Sequence, residues 1–349
     1  MKKKLFVVIL LLLVIVLFLV CGKDKFNSRK QIEAQYFDIS PVDDYGMHEF
    51  AVTRDNVYFV MAHYLKNNPA PFSMNGYYIR SIDRNNGNSR VIFKSDDNIL
   101  QTGFWINEFA ATANGPVWCY QSDNCSEIKS IKADGSQLTV RNRGYYDDLV
   151  LGIGENQICW YSDESGLSLH IFDLNTDSEK IISDLLCDSP YTRPYILENN
   201  IAYVSKEDDE QFIAMINTES EAVTRLALSS DVEPTRVQGN SQYIIYTDSY
   251  NGSKLYYFDI AKGKTGEYSI NSSDYIFSCF LYDRYVVINS RSRADGIPKV
   301  EIIELTKGKA VGEFTGYDYA SYGMISYDGL YYSLVEMEGK SRLLIIDLR

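Results

Sequence analysis

Beyond residue 31 the chain is written in short apolar runs, each closed by Asn, Asp, Gly or Ser, and two kinds of run alternate. The first kind ends in a polar residue and a turn: YYIRSIDRNNG from Tyr77, EIKSIKADG from Glu127, LHIFDLNTD from Leu169, FIAMINTES from Phe212, LYYFDIAKG from Leu255, VEIIELTKG from Val300 and LLIIDLR from Leu343. With Asp83, Lys132, Asp173, Asn217, Asp259, Glu304 and Asp347 taken as equivalent, the seven copies recur at intervals of roughly 41 to 49 residues. The second kind lies upstream of each copy: NVYFV from Asn56, GPVWCY from Gly115, NQICWYS from Asn156, NNIAYVS from Asn199, SQYIIYT from Ser241, DRYVVINS from Asp283 and DGLYYSLV from Asp328. Runs this short, rich in aromatic and β-branched residues and bounded by turn formers, predict strands joined by hairpins. A third strand precedes each pair, as in HEFAVT from His48 and GMISY from Gly323, and a fourth follows most pairs, as in RVIF from Arg90 and QLTV from Gln137.

A four-stranded antiparallel unit repeated about every 40 to 45 residues has the period of a propeller blade. The pattern therefore predicts an all-β, seven-bladed β-propeller over residues 32–349, with a six-bladed ring as the alternative because the first unit diverges most. An open β-solenoid fits less well, since the unit is too long and too rich in hairpins. The seventh unit reaches Arg349 after its third strand, which leaves a sheet edge to be paired. IEAQYFDIS, residues 32–40, has strand character and no unit of its own, and it is predicted to supply the missing outer strand and close the ring. In the turn after each strand-ending Asp, the carboxylate should accept backbone N–H bonds while Gly or Asn supplies positive φ. Those acidic residues thus read as local caps and not as a ring of metal ligands.

Residues 1–22, MKKKLFVVILLLLVIVLFLVCG, set three lysines before an unbroken apolar run. The run is long enough, at its lower limit, to span a bilayer as a helix, and Lys2, Lys3 and Lys4 should stay on the cytoplasmic side. Two outcomes stand open: an uncleaved signal anchor, or a lipoprotein signal peptide ending at a lipidated Cys21. The second would place Val20 where a small residue is usual. Either way residues 23–31 form a polar linker, and the body is expected on the extracytoplasmic face of a bacterial cell membrane.

A formal net charge of -13, with no basic cluster outside the first four residues, disfavours nucleic acid as a partner. The remaining cysteines, Cys119, Cys125, Cys159, Cys187 and Cys279, are odd in number and lack C-x-x-C spacing, which argues against a zinc site and a full disulfide framework. Cys119 and Cys125 either close a hairpin or pack as small hydrophobes.

The second-strand runs, with FDL at Phe172 and FDI at Phe258, resemble the bacterial exported propellers, a class that includes TolB-like and low-density-lipoprotein-receptor-type propeller domains. The receptor type's Y-W-T-D signature is absent as such. The resemblance spans nearly all of residues 32–349 and implies a propeller fold with a binding or scaffolding role.

Candidate chemistry is sparse. His48, His63 and His170 are scattered, and no G-x-S-x-G elbow, H-E-x-x-H, phosphate-cradling loop or EF-hand appears, so no metal or cofactor is expected. The acidic run Glu207–Glu210 reads as a solvated hairpin tip. The segments leading into the innermost strands carry Tyr45, Trp105, Tyr146, Tyr191, Arg193, Arg236, Tyr275 and Tyr319. In a propeller such segments gather at one channel mouth, where aromatic and Arg side chains suit contacts with a protein or stacking on a sugar. The hairpin loop from Met61 to Asn75 is expected on the same face. These residues point to a membrane-tethered binding or scaffold propeller without catalysis, recognising a protein or carbohydrate. The alternative is an enzyme acting on glycans or peptides at the channel, which would need convergent carboxylates or a His pair inside the mouth; sequence spacing reveals no such carboxylate pair.

Overall fold

The computed structural model describes Ile32, residues 34–38, and residues 46–349 apart from 65–73, 96–103, 123–124, 143–150, 163–167, 184, 186–192, 198, 208–209, 227–234, 248–251 and 321–322. Cys21 and the N-terminal apolar segment lie outside these residues, and no described helix is long and apolar enough to cross a membrane.

Seven antiparallel sheets follow one another along the chain, and each takes its strands in sequence order from the inside outward. The first blade is β2 (Gly46–Val52), β3 (Asn56–Tyr64), β4 (Met74–Asp83) and β5 (Ser89–Lys94). The seventh differs at both edges. Two short strands, β26 (Tyr319–Ala320) and β27 (Met324–Ile325), share its innermost place against β28 (Leu330–Met337). Its outer strand is β1 (Ala34–Asp38), which pairs antiparallel with β29 (Lys340–Asp347), Tyr36 opposite Leu344. The chain is a seven-bladed β-propeller of four-stranded blades, closed as the unpaired edge required; the six-bladed alternative falls because seven sheets form.

Burial follows position in the blade. Second strands such as β11 (Gln157–Ser162) and β19 (Tyr243–Thr247) are buried on both faces, because a neighbouring sheet covers each side. That is why they read as continuous apolar runs. Outer strands such as β21 (Lys264–Ser269) and β25 (Lys309–Phe314) are mostly exposed and polar. The core lies between the blades: Tyr58 and Ile79 of the first meet Trp118 and Phe109 of the second, while Phe50 and Val52 of the first meet Tyr332 and Leu343 of the seventh. The buried Trp118 indole donates to the Tyr77 hydroxyl at 2.8 Å, so the seam between the first two blades leaves that N–H satisfied.

Among the described residues the strand-ending side chain caps its turn in five blades; in the seventh, Asp347 accepts from Arg349 N at 3.0 Å. Asp83, Asp173, Asn217 and Asp259 each accept a backbone N–H from their own turn through a side-chain oxygen, at 2.8 to 3.0 Å. After Asp83, Asp173, Asn217 and Asp259 the residue four positions on has positive φ: Gly87, Asp177, Glu221 and Gly263. Gly fills two of these places and a carboxylate residue the other two, where Gly or Asn was anticipated.

Three further expectations are corrected or refined. Cys119 is a buried thiol outside any disulfide, and register sets it opposite Ile128 while Cys125 lies opposite Ser122, so the expected hairpin bridge does not form. The loop expected from Met61 to Asn75 is shorter, since β3 runs on to Tyr64 and β4 begins at Met74. His170 is packed: it stacks on Trp160 at 5.2 Å and bonds Glu179 at 2.9 Å.

Candidate functional site: a charged tier in the channel

Two consecutive innermost strands repeat one short phrase. Glu49-Phe50-Ala51-Val52-Thr53 ends the inner strand of the first blade, and Glu108-Phe109-Ala110-Ala111-Thr112 ends β6 (Phe104–Thr112) of the second. Each part of the phrase has a job. The Thr hydroxyls close the tight turn to the next strand, Thr53 with Asn56 at 3.1 Å and Thr112 with Gly115 at 3.1 Å. The Phe and Ala residues pack between blades. Just before each Glu the ladder slips by one residue, between Met47 and Glu49 and between Ile106 and Glu108. Such bulges re-aim side chains next to functional sites. The two carboxylates therefore stand at one level of the ring.

The cation facing them comes from the fourth blade. Arg193 precedes β14 (Tyr195–Leu197), and its Nη2 donates to both oxygens of Glu108, at 2.8 and 2.7 Å. A blade stands between these partners, and a glycine lets them meet. At Gly152, on β10 (Gly152–Ile153) of the third blade, a Cβ would lie 2.4 Å from the Pro194 carbonyl oxygen. Any side chain there would push the Arg193 segment away. Burial opposes the charge of Arg193, but Glu108 outweighs it and holds the guanidinium protonated. Burial, and then the neighbouring Glu108, pushes the Glu49 carboxyl up from 4.5 to about 7. Tyr195 is likewise pushed up to about 12 by burial.

Arg193 also lines a cavity of about 390 Å³, bounded by innermost-strand residues of several other blades, among them Ala110, Ile153, Gln238, Phe280 and Met324. Its far walls are turns joining innermost to second strands, Asn240–Gln242, Asp283 and Ser326–Tyr327. This end is opposite the mouth where outer strands feed the next blade. Gln238 stiffens the wall: its amide donates to Cys279 O at 2.7 Å and accepts from Leu281 N at 2.9 Å, tying the fifth blade to the sixth.

Of the mouth residues anticipated from sequence, Arg193, Tyr275 and Tyr319 are described in full. Tyr319 is 46% exposed, and the Arg291 guanidinium lies 5.6 Å from its ring and 3.7 Å above Phe277. Tyr275 lies 5.8 Å from the guanidinium of Arg293 on the same blade. The structure thus gathers Tyr275 and Tyr319 beside two arginines and sets Arg193 apart, against Glu108. Trp105 and Arg236 occupy β6 and β18 (Thr235–Gly239), but their side chains lie outside the described residues, as do Tyr45, Tyr146 and Tyr191 altogether. Glu49, Glu108 and Arg291 were not foreseen. The repeated E-F-A-x-T was the available signal for the first two. Among the described residues no group of three or more His, Cys, Asp or Glu is placed to hold a metal.

No protein-family profile and no curated protein sequence matches the chain. Solved structures do match. The β-propeller domain of the Trilobed protease from Pyrococcus furiosus, described as having an open velcro topology, aligns at TM-score 0.61 and 12% identity, over 89% of this chain and 95% of that one. A prolyl endopeptidase aligns at TM-score 0.59 and 12% identity over 87% of this chain, which spans only 50% of that enzyme. A chain of the Mitotic Checkpoint Complex aligns at TM-score 0.53 and 9% identity, covering 90% of this chain and 91% of that one. TolB from Acinetobacter baumannii aligns at TM-score 0.45, which is too low to bear on the argument. At such identities the likeness is one of fold, and what the comparisons establish is a β-propeller.

Proposed function

We propose that this chain is an exported binding propeller, held at the extracytoplasmic face of a membrane by its N-terminal apolar segment, that captures a protein or a glycan at the channel mouth. The observation that carries the reading is the cluster of Tyr319, Phe277 and Arg291. An exposed tyrosine beside a guanidinium already stacked on an aromatic ring offers a preordered, half-apolar contact of the kind that dominates recognition surfaces. Trp105, Tyr45, Tyr146, Tyr191 and Arg236 would extend that surface around the mouth. The test is a photo-crosslinking amino acid at position 319 of the membrane-bound full chain, with an array of immobilised oligosaccharides as a second arm. A discrete crosslinked protein or one retained glycan class is expected, weakened at least about tenfold by Arg291→Met with Tm unchanged. A fall in Tm with no loss of capture would return the cluster to blade packing.

A second reading, an enzyme acting on glycans or peptides, is favoured by one observation. The Glu49 carboxyl, raised to about 7 next to Glu108, matches what a general acid needs near neutral pH. It requires hydrolysis of aryl glycosides or peptides by the full chain that disappears in Glu49→Gln.

A further inference from the structure

The cavity at the end of the channel opposite the mouth differs in kind from the mouth cluster. We propose that it is a binding site for a small neutral saccharide of one or two rings, hydrogen-bonded by Arg193 and Gln242 and stacked on Tyr327.

Size comes first. About 390 Å³ lies at the small end of ligand pockets, room for one or two sugar rings and too little for a folded partner. Charge narrows the choice. Among the described residues of the lining the one cation is Arg193, already matched by Glu108, and the one anion is Asp283, whose carboxylate lies 3.7 Å from Arg284. The walls are thus balanced, and a charged ligand would be desolvated without a counter-charge.

The unused hydrogen-bonding capacity is of both kinds. Both bonds of Arg193 come from Nη2, so among the described residues Nη1 and Nε have no partner. The side chains of Ser241 and Gln242 are exposed and likewise unbonded among those residues, whereas Asn240 caps its own turn and donates to Asp283 O at 2.6 Å. Donors with no fixed acceptor and an amide offering both functions suit hydroxyl groups, which donate and accept. The aromatic side chains Tyr327, Tyr332 and Phe280 also line the cavity, and an amphipathic ring face can lie against them. The Gln238 bridge fixes the wall beforehand, so little order need be imposed on binding.

The experiment uses the detergent-solubilised full chain with D-glucose, N-acetylglucosamine and cellobiose as probes, read by saturation-transfer NMR and calorimetry. At least one probe is expected to bind, and Gln242→Ala, which removes the amide, and Tyr327→Leu, which removes the ring face, should each weaken it about fivefold or more without lowering Tm. Tyr319→Ala should leave it unchanged, so loss of capture at the mouth and loss of the sugar are separately visible. The proposal is overturned if no probe shows saturation transfer at about 10 mM. It is equally overturned if glucuronate or glucosamine binds as tightly as the neutral sugars, or if Tyr319→Ala abolishes binding while Gln242→Ala spares it.

Discussion

At Glu49 a carboxyl is kept from water and set beside a second carboxylate, and the two effects act in the same direction. Below its unfolded value near 4.5 the group is protonated in both states and contributes nothing to stability. Between there and about 7 the unfolded chain releases the proton while the folded chain keeps it, so stability falls as pH rises. Above that window the full penalty is present, on the order of 3 kcal/mol. Glu49→Gln should therefore match the parent at about pH 4.5 and be more stable by roughly 1–3 kcal/mol at about pH 8, as denaturant midpoints would show. Equal stability at both pH values would mean that Glu49 is solvated. Sequence made Arg193 a candidate because it stood in the segment entering an innermost strand, which a propeller gathers at the channel mouth. Its partner was not legible, since Glu108 lies two blades away and the meeting depends on a glycine in the blade between.

Single elements show which local rules were readable. The strand-ending polar residue and the residue four places on form a unit: Gly87, Glu221, Gly263 and Gly308 each donate an N–H to the carbonyl of the strand-ending residue at 2.8 to 2.9 Å. That geometry was visible in sequence wherever Gly marked it and invisible where Asp177 and Glu221 occupy the same backbone state, with φ of 54° and 59°. A side chain in this left-handed region costs about 1 kcal/mol relative to glycine. Glu221 is exposed and its ion pair with Lys180 is a surface contact, so Glu221→Gly should raise stability by about 0.5–1 kcal/mol in thermal unfolding. A loss of that size would instead show that the ion pair outweighs the strain. The divided inner strand of the seventh blade was not legible, because GMISY from Gly323 has the same apolar signature as an unbroken strand.

At the scale of the molecule, the blade count and the closing strand were both readable, because a fixed period and an unpaired edge are properties of the whole chain. The channel tier was hidden for the opposite reason: its members belong to different blades. Closure also makes a prediction. Leu344, Ile345 and Ile346 are buried beneath the β1 pairing, so deleting residues 1–39 uncovers an apolar strand edge. The truncated chain should lose about 3–5 kcal/mol and self-associate in light scattering. A monomer with unchanged Tm would show that the first strand is dispensable.

The pairing of Ala34 with Ile346 has a consequence for how the polypeptide is made. β1 is translated about 310 residues ahead of its partner β29, so at ordinary elongation rates it stays without that partner for some tens of seconds. Throughout that interval the nascent chain offers an unpaired ribbon to its neighbours. An escort that masks strands has most to do in that window, before the ring is sealed.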